Sequence, residues 1–207
     1  MRGVDVAPMR ALLRQNRVVS SITAELDQKS CFEVFTDPEL AERFLTVEER
    51  QVMRRHVLWT RIVSDRRTGS PAGERIDLLE YARKERESLV LKPNRSYGGE
   101  GVVIGPTVTQ SEWDAAIERV LADEERWVVQ QVAPIPVKLF HVLDDSDRVR
   151  VEPFYIVMGF APSRYGVALV ARASQLPVVN VAQQGGTCAV MVSAKALHGA
   201  HGEAPST

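Results

Sequence analysis

The chain reads as an α+β protein. Helical spacing dominates its first 90 residues, strand-like runs dominate its last hundred, and the apolar period changes at Ser88 from 3.6 to short continuous blocks. Strands joined partly by helices and partly by hairpins imply mixed or antiparallel sheets with helices to one side, not a doubly wound α/β layout.

The elements follow in order. Asp37-Pro38 opens a short helix, with Asp37 as cap and Leu40, Phe44 and Leu45 as its apolar stripe. Thr46-Val47-Glu48-Glu49 has the form of a capping box, which predicts a helix from Val47 to about Trp59. The polar stretch 66–74 (RRTGSPAGE) reads as a surface loop. Asp77 with Glu80 repeats the cap spacing and predicts a helix ending near Glu87. Strands are expected at 88–92 and 102–104, on either side of the glycine-rich segment 94–101. Thr109 with Glu112 caps an amphipathic helix through Trp113, Ile117, Val120 and Leu121, and the strand 127–132 follows it. Strands around 137–143 and 148–160 flank the acidic turn Asp144-Asp145-Ser146-Asp147 as an antiparallel hairpin; the turn explains the aspartates better than a cation does. Further strands are expected at 166–172 and 178–181, and the tail 198–207 is expected to be disordered.

Composition excludes several classes of function. Lys and Arg number 26 against 27 Asp and Glu, for a formal net charge of −1, so the basic surplus that neutralises nucleic-acid phosphates is missing. Two cysteines, Cys31 and Cys188, stand far apart without a CxxC partner; this excludes a disulfide scaffold or a cysteine-ligated zinc site and suits a reducing cytoplasm. No apolar run approaches the ~18 residues of a membrane span, and the N-terminus lacks the apolar block of a signal peptide. A cytoplasmic protein is expected. His56 and His141 have no partners at ligand spacing.

The most informative segment is 89–105. An apolar strand ends in Lys92, a loop carrying Gly98, Gly99 and Gly101 turns the chain, and a second apolar strand leads away. Such a loop can present bare backbone N–H groups to a phosphate, while Lys92 supplies a point charge. A glycine-rich hairpin turn with an edge-strand lysine would give the same pattern. It is neither a Walker A loop, since no GK[S/T] follows, nor a Rossmann fingerprint, since a strand comes next. Downstream, the strand ending in Gln130-Gln131-Val132 could offer backbone groups to an adenine edge.

Taken together, Val90-Leu91-Lys92-Pro93, Tyr97-Gly98-Gly99-Glu100-Gly101-Val102, Ile104-Gly105, Glu112-Trp113 and Val128-Val129-Gln130-Gln131 resemble the nucleotide-binding half of the circularly permuted ATP-grasp family, of the glutathionylspermidine-synthetase type of carboxylate–amine ligase. Upstream pieces such as 45–50 (LTVEER) and 56–61 (HVLWTR) fit as well, and the similarity runs over roughly 9–191.

The resemblance implies an ATP-grasp-like fold with ATP held between two α+β subdomains: a glycine-loop lid at about 60–135, a core from 1–59 and 136–197, and a tail at 198–207. It implies that Lys29 and Lys92 bind phosphates, that Tyr97, Gly98, Gly99 and Gly101 belong to the loop closing over them, and that Gln130, Gln131 and Val132 form the adenine hinge. Arg172 would stabilise the transferring phosphoryl group, with Asn180 beside the nucleotide. ATP and Mg²⁺ are the implied cofactors; a carboxylate and an amine, as small molecules or peptides, are the implied substrates, joined through an acyl-phosphate. The magnesium ligands are unassigned, because upstream of Lys29 the only acids are Asp5, Glu25 and Asp27 and serines stand where the family has an asparagine. The resemblance thus implies that the chain is the C-terminal portion of such a ligase, either working with a missing N-terminal half or partner chain, or a non-catalytic relative serving as a nucleotide-binding or protein-interaction module.

Overall fold

The computed structural model describes residues 5–17, 28–143, 146–179 and 185–192. They form an α+β protein with six α-helices and antiparallel sheets; of the mixed and antiparallel arrangements expected, every pairing found is antiparallel. The chain divides into two compact units, one of residues 1–96 and 101–132, the other of 97–100 and 133–207.

In the first unit, α1 (Ala7–Arg14), α2 (Cys31–Thr36), α3 (Pro38–Phe44) and α4 (Val47–His56) precede the first strands. Asp37 caps α3 by accepting from the Glu39 and Leu40 N–H groups, and Thr46 with Glu49 forms the expected capping box of α4. That helix stops at His56, short of Trp59, because the following residues turn extended and β1 (Thr60–Ile62) pairs with β6 (Trp127–Gln131). The stretch expected to be a loop is a hairpin, β2 (Arg67–Gly69) with β3 (Arg75–Asp77). Pro71 and Gly73 lie in the turn, whereas Gly69 pairs with Arg75 in the ladder and Thr68 faces inward to meet the Arg61 guanidinium. Asp77 caps α5 (Leu78–Lys84), which ends before Glu87 in a 3₁₀ turn at Arg86–Ser88.

β4 (Leu89–Pro93), β5 (Val103–Ile104), α6 (Gln110–Ala122) and β6 complete this unit, with sheet order β1-β6-β4-β5. Alternation along β4 and β6 sends Leu89, Leu91, Trp127 and Val129 into a core with Trp59, Leu78, Ala82, Trp113, Ala116, Ile117 and Val120. Thr109 and Glu112 close the capping box of α6; Leu121, expected on its apolar stripe, is exposed instead. Even-numbered residues of these strands and of β1 face away from the helices, and Lys92, Gln130 and Thr60 are among them.

The second unit is a meander of β7 (Val137–Leu143), β8 (Val149–Ser163), β9 (Gly166–Ser174) and β10 (Gly186–Cys188), in the order β10-β9-β8-β7. The hairpin expected around the acidic turn is β7–β8, paired from Val137↔Tyr155 to Leu143↔Val149. Both sheet faces are largely apolar: Val137, Leu139, Tyr155, Val157 and Val170 lie on one, and Phe140, Phe154, Ile156, Met158 and Leu169 on the other, where Phe140 and Phe154 meet edge to face at 5.7 Å. Of the strand expected at 178–181, Val178 and Val179 are not strand and the rest lies outside the described residues, as do Asp144, Asp145 and the tail. No helix among the described residues is long and apolar enough to cross a membrane.

Candidate functional site

The site is built on the face of the first unit's sheet that turns away from α5 and α6. Register places Lys92 opposite Val128 and Gln130 opposite Val90, so Lys92 and Gln130 are diagonal neighbours on adjacent strands. The Lys92 ammonium donates to Gln130 Oε1 at 2.7 Å, and the Gln130 amide Nε2 donates to Thr60 Oγ1 at 2.8 Å. Both ends of the Gln130 amide are thereby fixed. Burial, and after it the neighbouring Lys29 ammonium, holds the Lys92 amine below the usual lysine range. Among the described residues no carboxylate comes within ion-pairing distance of Lys92.

Lys29 arrives from the turn ahead of α2. Asn94, buried just past the end of β4, anchors that turn: its Oδ1 accepts from the Ser30 N–H at 2.8 Å, its Nδ2 donates to Gln28 Oε1 at 3.0 Å, and its carbonyl accepts the Lys29 N–H at 3.1 Å. The Lys29 ammonium then donates to the Ser96 carbonyl at 2.6 Å and reaches the Asn94 carbonyl at 3.5 Å. Two ammonium groups from distant stretches of sequence thus converge where β4 runs into the glycine loop. Like charges brought together in a half-buried place repel one another, and a polyanion is the ligand that relieves them.

The loop has the backbone its glycines permit. Gly98, Gly99 and Gly101 take φ of 70°, 81° and 72°, in the left-handed region. A side chain on Gly101 would bring a Cβ to 2.8 Å from Pro93 Cγ. Tyr97 is exposed and its carbonyl accepts the Glu100 N–H at 3.3 Å; the tip, 97–100, groups with the second unit.

The strand end at 130–132 is occupied differently from an open hinge. The Gln131 N–H donates to the Trp59 carbonyl at 3.0 Å and the Val132 N–H to the Ser88 carbonyl at 2.9 Å. The Gln131 side-chain oxygen accepts the Trp59 N–H at 3.1 Å. These bonds tie β6 to its neighbours and occupy the Gln131 and Val132 N–H groups. Arg172 lies exposed on β9 of the second unit, opposite Val157 and Thr187, and Asn180 lies outside the described residues. No three His, Cys, Asp or Glu side chains cluster among the described residues in a way that could hold a metal ion.

Sequence reasoning missed Asn94 and Thr60. The one signal for Asn94 was its position directly after the strand-terminal Pro93.

A second polar system lies on the other side of β1. Arg61, fully buried, donates through Nε to Thr68 Oγ1 at 2.7 Å, through NH1 to the Thr60 carbonyl at 2.8 Å and through NH2 to the Gly69 carbonyl at 3.2 Å. It lies 5.0 Å from the Trp59 ring centroid and 3.7 Å from Asp37. Burial lowers its proton affinity and the Asp37 carboxylate works against that.

Comparison with known proteins finds no family model that matches. Over 56 residues the chain is 39% identical to the "Putative glutamate--cysteine ligase 2-3" of Frankia alni, a match covering 27% of this chain and 6% of that protein. A similarly named protein of Frankia casuarinae is 36% identical over 56 residues, again 27% of this chain and 6% of the relative. An uncharacterized protein of Mycobacterium tuberculosis (strain H37Rv) is 31% identical over 121 residues, covering 55% of this chain and 21% of its own length. The chain therefore aligns with about a fifth or less of these relatives, some of which carry the name of a ligase.

Proposed function

We propose that the first unit carries the nucleotide-binding part of an ATP-dependent carboxylate–amine ligase of the circularly permuted ATP-grasp type. The observation that carries this reading is the convergence of Lys29 and Lys92 at the root of the glycine loop, with Gln130 orienting Lys92. The ligase names of the Frankia relatives support the reaction class.

On this reading Lys29 and Lys92 hold the nucleotide's phosphate oxygens as point charges. Gly98, Gly99 and Gly101 offer backbone N–H groups, and Tyr97 belongs to the same loop. The 130–132 junction meets the adenine. ATP supplies a transferable phosphoryl group. A substrate carboxylate oxygen bonds to the γ-phosphorus as the bond to ADP breaks; an amine then attacks the acyl carbon, loses a proton and expels phosphate, leaving an amide. Arg172 is assigned to the charge that builds on the transferring oxygens. The described residues show no donor set for Mg²⁺.

Calorimetric titration of ATP with Mg²⁺ into the full chain, beside Lys92→Ala and Lys29→Ala, tests the proposal. Saturable binding that either substitution reduces, with folding retained, is expected. Binding indifferent to both lysines would overturn it.

A further inference from the structure

The β2–β3 hairpin and the α2–α3 segment enclose a groove of about 410 Å³, within the ~300–1,000 Å³ range of small-molecule clefts. Its charged lining is Arg66, Arg67 and Arg75 from the hairpin side and Glu33, Asp37 and Glu39 from the helices. Three charges of each sign look balanced, but the hydrogen bonds show that they are not equally available.

Glu33 is buried; its carboxylate accepts from Arg66 NH2 at 2.6 Å and from the Ile62 N–H at 2.8 Å. Asp37 caps α3 and lies 3.7 Å from the buried Arg61. Both acids are thus engaged within the wall. Arg67 and Arg75, in contrast, are exposed and make no ion pair among the described residues. Register sets Arg67 opposite Asp77 and Arg75 opposite Gly69, which makes the two arginines diagonal neighbours on one face, about 7–8 Å apart at Cα. Gly69 places no side chain across from Arg75, and Asp77 is held by its cap on the Glu80 N–H. Glu39 is likewise exposed and makes no ion pair among the described residues. Beside them the Arg66 Nε is buried without a hydrogen-bond partner.

Two open guanidinium groups and one open carboxylate are the complement of a molecule with two carboxylates and one ammonium. The planar fork of arginine matches a carboxylate in bidentate fashion, and a concave wall shields such pairs from solvent. We propose that this groove binds an acidic α-amino acid, with its carboxylates on Arg67 and Arg75 and its ammonium facing Glu39. The assignment does not rest on the nucleotide reading, because the groove shares no residue with the Lys29–Lys92 cradle.

Titrating L-glutamate into the full chain, in parallel with glutarate as the same dicarboxylate without the ammonium, tests the assignment by calorimetry. L-Glutamate is expected to saturate one site, and Arg67→Gln and Arg75→Gln each to weaken it about tenfold or more, the loss of one charge-assisted pair. Glu39→Gln is expected to weaken L-glutamate and leave glutarate unchanged. These side chains are exposed, and thermal melts check that each variant is folded. Failure of L-glutamate to saturate, or affinity as tight as the parent's in either arginine variant, overturns the site. Glutarate binding as tightly as glutamate, with Glu39→Gln silent, overturns the amino-acid assignment. ATP titrated into the Arg67→Gln/Arg75→Gln protein, expected to bind as in the parent, separates failure here from failure of the nucleotide reading.

Discussion

The Lys92 ammonium donates to the Gln130 side-chain oxygen at 2.7 Å across the β4–β6 ladder, on a sheet face where burial disfavours its charge. Its affinity for a proton is therefore lower in the folded than in the unfolded chain. At neutral pH the charged amine opposes folding, and stability rises as pH climbs through the lowered pKa toward the ordinary 10.5. Lys92→Met keeps the stem and removes the charge. It should raise stability by about 1 kcal/mol and abolish that alkaline rise, while losing phosphate binding. Denaturant melts at several pH values check this; a destabilised Lys92→Met would mean that the bond to Gln130 outweighs desolvation.

Arg61 gives the opposite expectation. Its fork meets Thr68, the Thr60 carbonyl and the Gly69 carbonyl at once, a pattern an ammonium cannot reproduce. Arg61→Ala should cost about 3–5 kcal/mol, as for breaking a buried charged network, and Arg61→Lys should recover only part of it. Urea unfolding of both variants would measure the difference. Equal stability of Arg61→Lys and the parent would count against a role for the fork.

Gly105 is a packing test. A Cβ built there would lie 1.9 Å from the Arg86 carbonyl oxygen and 2.7 Å from that of Leu89. Backbone cannot move aside as a side chain can, so Gly105→Ala should cost about 3 kcal/mol or more. Arg86 also donates to the Gly105 carbonyl at 2.6 Å, so the same change should disturb the junction of β5 with α6. Amide hydrogen exchange in 103–110 would report it.

The capping box of α6 predicts an acid dependence. Hydrogen bonds from the Thr109 backbone and side chain lower the Glu112 pKa from 4.5, so its contribution is complete above pH 4.5 and fades as pH falls through the lowered value. Thr109→Ala should destabilise by about 1 kcal/mol at neutral pH and flatten the acid limb of the stability profile. Thermal melts between pH 2 and pH 7 would show whether the two curves converge.

What the sequence disclosed was local. The caps at Asp37, Thr46, Asp77 and Thr109 lie three residues or fewer from their partners and appear as expected. β2 and β3 escaped notice because three-residue strands carry no usable period, and their Gly and Pro residues suggested a loop throughout. β1 depends on pairing with β6, and nothing near Thr60 in sequence announces that. The same limit governs the site. Lys92 could be picked out as a strand-end lysine before a glycine loop, whereas Asn94 acts on Ser30 across 64 residues and on Gln28 across 66. Gln131 stood where a base-contacting residue was expected, yet its amide secures Trp59.

The meander of the second unit has a further consequence, which concerns alignment. A strand with one polar face is held in place by the penalty for turning that face inward. β8, apolar on both faces over much of its length, lacks that penalty; a shift by one residue exchanges one oily surface for another. Its alignment with β9 must come from the turn between them. There Ser163 Oγ accepts the Tyr165 N–H and donates to the Gly166 carbonyl, both at 3.1 Å, and Gly166 adopts a φ of 131° that side-chain-bearing residues rarely take. Four residues at one end thus act as the ruler that decides which of the fifteen positions of β8 meets which of the nine of β9.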